Sequence, residues 1–269
     1  MAKLSQAELE TYRDRGFVVP GFRLPEARLE SLRAALDEVI AANPEVRPEQ
    51  LVSVHLEGLN PEGVRGSRVF LELARDADLL DLVGALIGPD VVLWGCQIFC
   101  KPAGDGMAVP WHQDANYWPI RPLANCTLWL ALDHSRPENG CLRVIPGSHA
   151  DRALFPHAEQ AGGEVTLTKR IEADAFDQAA ARDVVLEPGQ MSLHDIYLIH
   201  GSEPNRSAQR RAGVAIRYMP ATSHFDRGLI PPGDGSGYRV DFSTRPLWLV
   251  SGVDRANNDF TIGHRPGHA

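Results

Sequence analysis

The chain has 269 residues, 43% hydrophobic and 23% charged, with a formal net charge of −8. That is enough to bury one large core in an ordinary soluble composition, and the acidic balance argues against a general nucleic-acid binder, which would usually show a basic face. No stretch approaches the roughly 18 apolar residues of a membrane span, and the polar start MAKLSQAELETYRDRGF lacks a leader's apolar run, so a cytoplasmic protein is expected.

Residues 5–15 predict a short helix ended by Gly16, and residues 17–19 a short strand. Residues 24–42 predict a longer amphipathic helix with Leu29, Leu32, Leu36 and Ile40 on one side, stopped by Pro44 and Pro48. Residues 45–67 read as irregular. Residues 76–87 predict another helix, closed by Gly88 and Pro89. From Val91 the pattern changes to short strands, at 91–101, 107–113, 125–132, 142–145, 183–186, 190–194, 197–200 and 211–219, with Gly- and Pro-rich turns between most of them. Residues 150–180 read as an inserted loop with some helix and a candidate lid, and the tail from Pro220 as mostly loop. The four cysteines (Cys96, Cys100, Cys126 and Cys141) form no C-x-x-C pair and are expected as buried free thiols.

These elements predict a mainly β fold with flanking helices, a double-stranded β-helix of jelly-roll, cupin-like type. The expected organisation is one domain over 1–269: a helical layer at 1–90, a β-helix core at 91–219 carrying the insert at 150–180, and a loop-rich tail at 220–269.

The chemistry gathers in Trp111-His112-Gln113-Asp114-Ala115-Asn116-Tyr117-Trp118 and in the later stretch His194 to Arg211. On a strand, i and i+2 point to one face, so His112 and Asp114 can share a metal. His200 supplies a third ligand and completes the 2-His-1-carboxylate set of non-haem Fe(II) oxygenases, with no thiolate near in sequence. His194 shares the parity of His200 and is the competing histidine, expected as a supporting or surface residue. Arg211, eleven residues after His200, opens a strand and faces inward. A guanidinium fork suits a carboxylate, and 2-oxoglutarate would present one. Arg210 falls on the outer face. Arg217 shares the inner face, where it binds an anionic substrate or forms a structural ion pair. Lys101 has inner-face parity as well.

The segments SQAELETYRDRGFVV, WHQDANYWP, CLRVIPGSH, HGSEPNRSAQRRAGVAIRY and GVDRANNDF follow one another over most of the chain. In them the sequence resembles the phytanoyl-CoA dioxygenase family of Fe(II)- and 2-oxoglutarate-dependent oxygenases, which includes ectoine hydroxylase. The resemblance implies His112, Asp114 and His200 as iron ligands and Arg211 as the anchor of the 2-oxoglutarate carboxylate. It implies that the hydroxyls of Ser202 and Thr127 assist at that same carboxylate, and that Gln97 and Trp118 line the cosubstrate pocket. Relatives that halogenate replace the carboxylate ligand by a small residue. Asp114 is intact, which implies hydroxylation or another carboxylate-ligated oxidation, with 2-oxoglutarate and O2 consumed and succinate and CO2 released; desaturation, epoxidation and ring closure stay open.

Substrate contacts are expected from loops at the mouth: Asn116 and Tyr117, with Lys101 and Arg217, and more weakly His55, Arg65, Arg68, Phe225 and Trp248. The expected partner is a small metabolite or natural product bound by a monomer or homodimer, with no nucleic acid and no membrane. Two other readings stay open: a zinc hydrolase on a cupin-like barrel, and a non-catalytic barrel.

Overall fold

The computed structural model describes residues 2–159, 165–167, 169–229 and 242–262. Helix α1 (Gln6–Arg15) opens with a reciprocal cap, in which the Ser5 hydroxyl accepts from the Glu8 amide and the Glu8 carboxylate accepts from the Ser5 amide. It ends at Gly16, whose φ of 79° is left-handed. Helix α2 (Glu26–Ala42) buries Leu29, Leu32 and Leu36 of the predicted stripe together with Ala35 and Val39, while Ile40 is half-buried. A further helix, α3 (Arg68–Ala74), has no counterpart in the sequence reading. It is seven residues long, too short for a periodic signal, yet Ser67 caps it and it buries Phe70 and Leu73. Helix α4 (Ala77–Ile87) starts at Asp76, whose carboxylate accepts from the amides of Asp78 and Leu79.

Two antiparallel sheets make the barrel. The larger runs Phe17–Val18, Met191–Asp195, Cys126–Ala131, Arg211–Pro220, Val91–Lys101, Trp248–Ser251, with Leu51–Val52 added to Val91–Lys101. The smaller runs Arg182–Val184, Leu142–Val144, His200–Ser202, Val109–His112. This is the expected mainly β, cupin-like architecture with a helical layer. The helices cover the outer face of the larger sheet, where Leu29, Leu36, Phe70 and Leu79 pack with Ile98, Leu128, Leu193 and Val214. Burying that apolar face contributes most of the driving force for folding.

A register shift matters to the inner face. Gly95 pairs with Arg217 but Leu93 pairs with Tyr218, so Trp94 is an extra residue in its strand. Bulges of this kind re-aim side chains, and here Trp94 joins Gly95, Gln97 and Phe99 on the cavity wall.

Several boundaries differ from expectation. The strand expected at 107–113 is Val109–His112, and a 3-10 turn, Asp114–Asn116, follows it. The strand expected at 197–200 does not form. The chain turns after Asp195, with Leu198 N–H bonded to the Asp195 carbonyl, and resumes as His200–Ser202. The insert, expected as loop with some helix, carries the paired strands His157–Glu159 and Lys169–Ile171 and a 3-10 turn at Gln178–Ala180, with residues 160–164 and 168 outside the described residues. The tail adds the edge strand Trp248–Ser251; its residues 230–241 and 263–269 lie outside the described residues. All four cysteines are buried and free, as expected. No helix among the described residues is long and apolar enough to cross a membrane.

Candidate metal centre and cosubstrate pocket

His112 ends one strand of the smaller sheet and His200 begins its neighbour, and the two are direct cross-strand partners. Their ring centroids are 4.1 Å apart. Each Nδ1 lies at hydrogen-bond distance from the carbonyl two residues back, Pro110 for His112 (2.8 Å) and Leu198 for His200 (2.9 Å). A carbonyl only accepts, so Nδ1 carries the proton and Nε2 keeps its lone pair for a metal.

Asp114 reaches the same point by a different route from the expected strand parity. The strand has already ended, and the 3-10 turn swings the carboxylate back. Gln113 fixes that turn. It is fully buried; its amide group donates to the carbonyls of Tyr197 (2.7 Å) and Ala153 (2.9 Å) and accepts from Phe155 N–H (2.9 Å). The insert is thereby tied to the ligand turn. One ligand atom from each of His112, Asp114 and His200 lies within 4.8 Å of the others, and all three residues are buried.

The electrostatics suit a divalent ion. Burial alone would raise the Asp114 carboxyl, but the imidazoles of His112 and His194 outweigh it and hold the group well below the usual carboxylate range. Burial, then the neighbouring His112, pushes His200 well below the usual imidazole value, toward the neutral form a ligand needs. Two imidazoles with one nitrogen tied and one left for coordination, an ionised carboxylate and no thiolate form a donor set that fits Fe(II).

Of the two places expected for His194, supporting or surface, the structure gives the first: it is 2% exposed, its ring lies 4.8 Å from that of His200, and its Nε2 is 3.8 Å from Asp114 Oδ2.

At the other end stands Arg211, 3% exposed. Its Nη atoms donate to the carbonyls of Phe99 (3.2 Å) and Gly140 (2.8 Å), and its guanidinium lies over the Trp129 ring at 5.3 Å. Among the described residues its Nε has no partner and no carboxylate pairs with it. Burial pushes it down to about 10. A buried guanidinium without a counter-ion costs stability unless a carboxylate joins it, so the site fits the expected dicarboxylate. Arg210 points outward to Asp37 and Asp133, as its parity predicts.

Lys101, expected among the substrate contacts, is not part of the cavity lining. It is 1% exposed, and its Nζ donates to the Ser202 hydroxyl (2.7 Å) and to the Glu203 carbonyl. Burial, then the nearby Arg211, lowers it to about 6. Ser202 itself lines the cavity beside Arg211.

Thr127 is also placed differently from expectation. It pairs with Arg217, six residues along the strand from Arg211, which separates them by about 20 Å. It cannot share a carboxylate with Arg211. Its hydroxyl lies 3.4 Å from Asp114 Oδ2 instead.

One cavity of about 440 Å³ joins the two ends. Gln97, Tyr117, Trp118 and Arg217 line it as expected, with Trp94, Trp129, Phe242, Arg245 and Glu49, which the sequence reading missed. Gln97 accepts from Arg217 Nη2 at 2.9 Å, and that guanidinium lies over Trp118 (5.1 Å) and Trp94 (5.7 Å). Asn116 is not part of the lining, nor are His55, Phe225 and Trp248. Phe225 packs in the core against Trp94, and His55 against Trp248. Arg65 is exposed, and Arg68 pairs with Glu72 on the surface.

Comparison with known proteins agrees with this geometry. Human peroxisomal phytanoyl-CoA dioxygenase is 26% identical over 242 residues, 82% of this chain and 70% of that protein. Methylphosphonate hydroxylase of Gimesia maris is 31% identical over 227 residues, 80% of each chain. The alignment with the bovine phytanoyl-CoA dioxygenase spans only 45% of that protein. Among solved structures, the apo non-heme monooxygenase ThoJ superposes with a TM-score of 0.70 at 27% identity, covering 91% of this chain and 84% of its own. The family model described as phytanoyl-CoA dioxygenase matches residues 12–213, and the chain therefore belongs to the phytanoyl-CoA dioxygenase family of Fe(II)- and 2-oxoglutarate-dependent dioxygenases.

Proposed function

We propose that this protein hydroxylates an aliphatic C–H bond of a small organic metabolite or natural product, consuming 2-oxoglutarate and O2 and releasing succinate and CO2. The observation that carries the reading is Arg211, a buried guanidinium with no carboxylate partner among the described residues, at the far end of the cavity that contains the ligand triad.

His112, Asp114 and His200 would hold the iron. Arg211 would grip the distal carboxylate of 2-oxoglutarate, with the Ser202 hydroxyl beside it and Lys101 fixing that hydroxyl. When bound, iron with 2-oxoglutarate supplies O2 activation and oxidation of a C–H bond. The protein's own part is placement and shielding. Trp94, Trp118 and Phe242 give the opposite end of the cavity an aromatic lining, and Gln97, Arg217 and Tyr117 offer polar contacts there. That mixture suits a compact substrate whose apolar carbon faces the triad and whose polar or acidic group faces Arg217. No side chain is assigned as a general base.

The test is anaerobic addition of Fe(II) and 2-oxoglutarate, read by visible absorbance. A weak charge-transfer band that needs both, and is lost in Asp114→Ala, supports the reading; succinate release then screens substrates. Folded protein that binds metal but gives no band with 2-oxoglutarate would return the zinc or non-catalytic reading.

A further inference from the structure

Asp114 presents its two oxygens to different neighbours. Oδ1 is 3.7 Å from His112 Nε2, the nitrogen that His112 keeps for a metal. Oδ2 faces away, toward Thr127 Oγ1 at 3.4 Å and His194 Nε2 at 3.8 Å. A hydrogen-bonded chain stands behind the threonine. Trp94 Nε1–H donates to Asn125 Oδ1 (2.7 Å), and Asn125 Nδ2 donates to Thr127 Oγ1 (3.1 Å). With its oxygen already accepting from Asn125, the Thr127 hydroxyl has its own hydrogen to give to Asp114.

His194 is the second neighbour. It stands opposite Thr127 in the larger sheet. It is 2% exposed, and neither ring nitrogen has a hydrogen-bond partner among the described residues. A buried imidazole is seldom left so, and Asp114 Oδ2, 3.8 Å from its Nε2, is an acceptor within reach. A shift of less than about 1 Å closes that gap to a normal hydrogen bond.

We propose that His194 is a positioning residue for the metal ligand Asp114. In the metal-loaded protein its Nε2–H donates to Oδ2 and, with the Thr127 hydroxyl, holds the carboxylate to coordination through Oδ1 alone. A carboxylate free to rotate would chelate with both oxygens and occupy a position that 2-oxoglutarate or O2 requires. The inference rests on the iron reading given above.

The experiment compares wild type with His194→Leu, His194→Gln, Thr127→Val and the His194→Leu/Thr127→Val pair. Co(II) serves as the spectroscopic probe, with and without 2-oxoglutarate. His194→Leu is expected to weaken Co(II) binding on the order of 10- to 100-fold, the usual effect of losing a group that orients a ligand. It should also change the visible spectrum of the 2-oxoglutarate complex, because the coordination number changes. His194→Gln keeps a donor and restores most of both, and the double variant loses more than either single one. Melting of the metal-free proteins shows that the variants fold. Wild-type affinity and spectrum in His194→Leu would overturn the proposal. So would loss of one nitrogen ligand from the Co(II) complex in His194→Gln, which would make His194 itself a ligand. Failure of wild type to bind Fe(II) with 2-oxoglutarate would overturn the iron reading instead.

Discussion

His112 and His200 face each other as direct partners across two antiparallel strands, and each is locked by its Nδ1–H to the carbonyl two residues before it. The sheet register therefore sets the distance between the two imidazoles, and the backbone sets their tautomers. His200→Ala should remove metal binding beyond the roughly 10- to 100-fold loss typical of supporting residues. Equilibrium dialysis of Fe(II) or Co(II), with circular dichroism confirming the fold, checks this. Affinity near wild type would mean that His194, 4.8 Å from His200 between ring centroids, had taken its place.

Arg211 is buried with no carboxylate partner among the described residues, as an anchor for an anionic ligand would be. Arg211→Met removes charge-assisted hydrogen bonds worth about 1.5–3 kcal/mol, so KM for 2-oxoglutarate should rise on the order of 10- to 100-fold. Arg211→Lys should not restore it, because a point charge lacks the fork. The ligand-free Arg211→Met protein should melt no lower than wild type, since a buried uncompensated charge has gone. A melting temperature well below wild type would contradict this account of the residue.

Burial of Lys101 predicts that stability, and 2-oxoglutarate binding at the proposed site, depend on pH. Its folded value is about 6, against an ordinary 10.5. Between those values the unfolded chain binds the extra proton, so stability rises with pH across that window and its Lys101 contribution levels off below about 6. Denaturation at several pH values should show a flatter rise in Lys101→Met. A carboxylate seated near Arg211 and Ser202 raises the amine again, so 2-oxoglutarate binding near neutral pH should take up a proton. Calorimetry in buffers of different ionisation enthalpy would detect it; the same heat in every buffer would refute it.

How much of this was legible depends on whether the signal was local. Helices α1, α2 and α4 were, because a local signal lies within each segment: the Ser5–Glu8 cap and Gly16 in α1, the apolar stripe in α2, and the Asp76 cap and Gly88 in α4. The grouping of His112, Asp114 and His200 was too, although Asp114 joins it from a 3-10 turn and not from the strand that the parity argument used. What escaped is set by register between strands far apart in sequence. Thr127 meets Arg217 and His194, not Arg211. Lys101 meets Ser202, 101 residues away. Parity along one strand says which face a residue takes, and pairing decides which end of the cavity it serves.

Gly213 shows how tightly the Arg211 end is built. A Cβ at this position would collide with the six-membered ring of Trp129, the indole over which the Arg211 guanidinium lies. Gly213→Ala should therefore push Trp129 aside, destabilise the protein by about 1–3 kcal/mol through overpacking, and raise KM for 2-oxoglutarate. Gly84 in α4 gives the matched control, because a Cβ there meets nothing within 4 Å. Gly84→Ala should stabilise by about 0.5–1 kcal/mol and leave KM unchanged. Thermal melts and steady-state kinetics of the two variants separate a general stability effect from displacement of the tryptophan. A raised KM in both would attribute the change to the fold as a whole, whereas a raised KM in Gly213→Ala alone would tie it to the platform under Arg211.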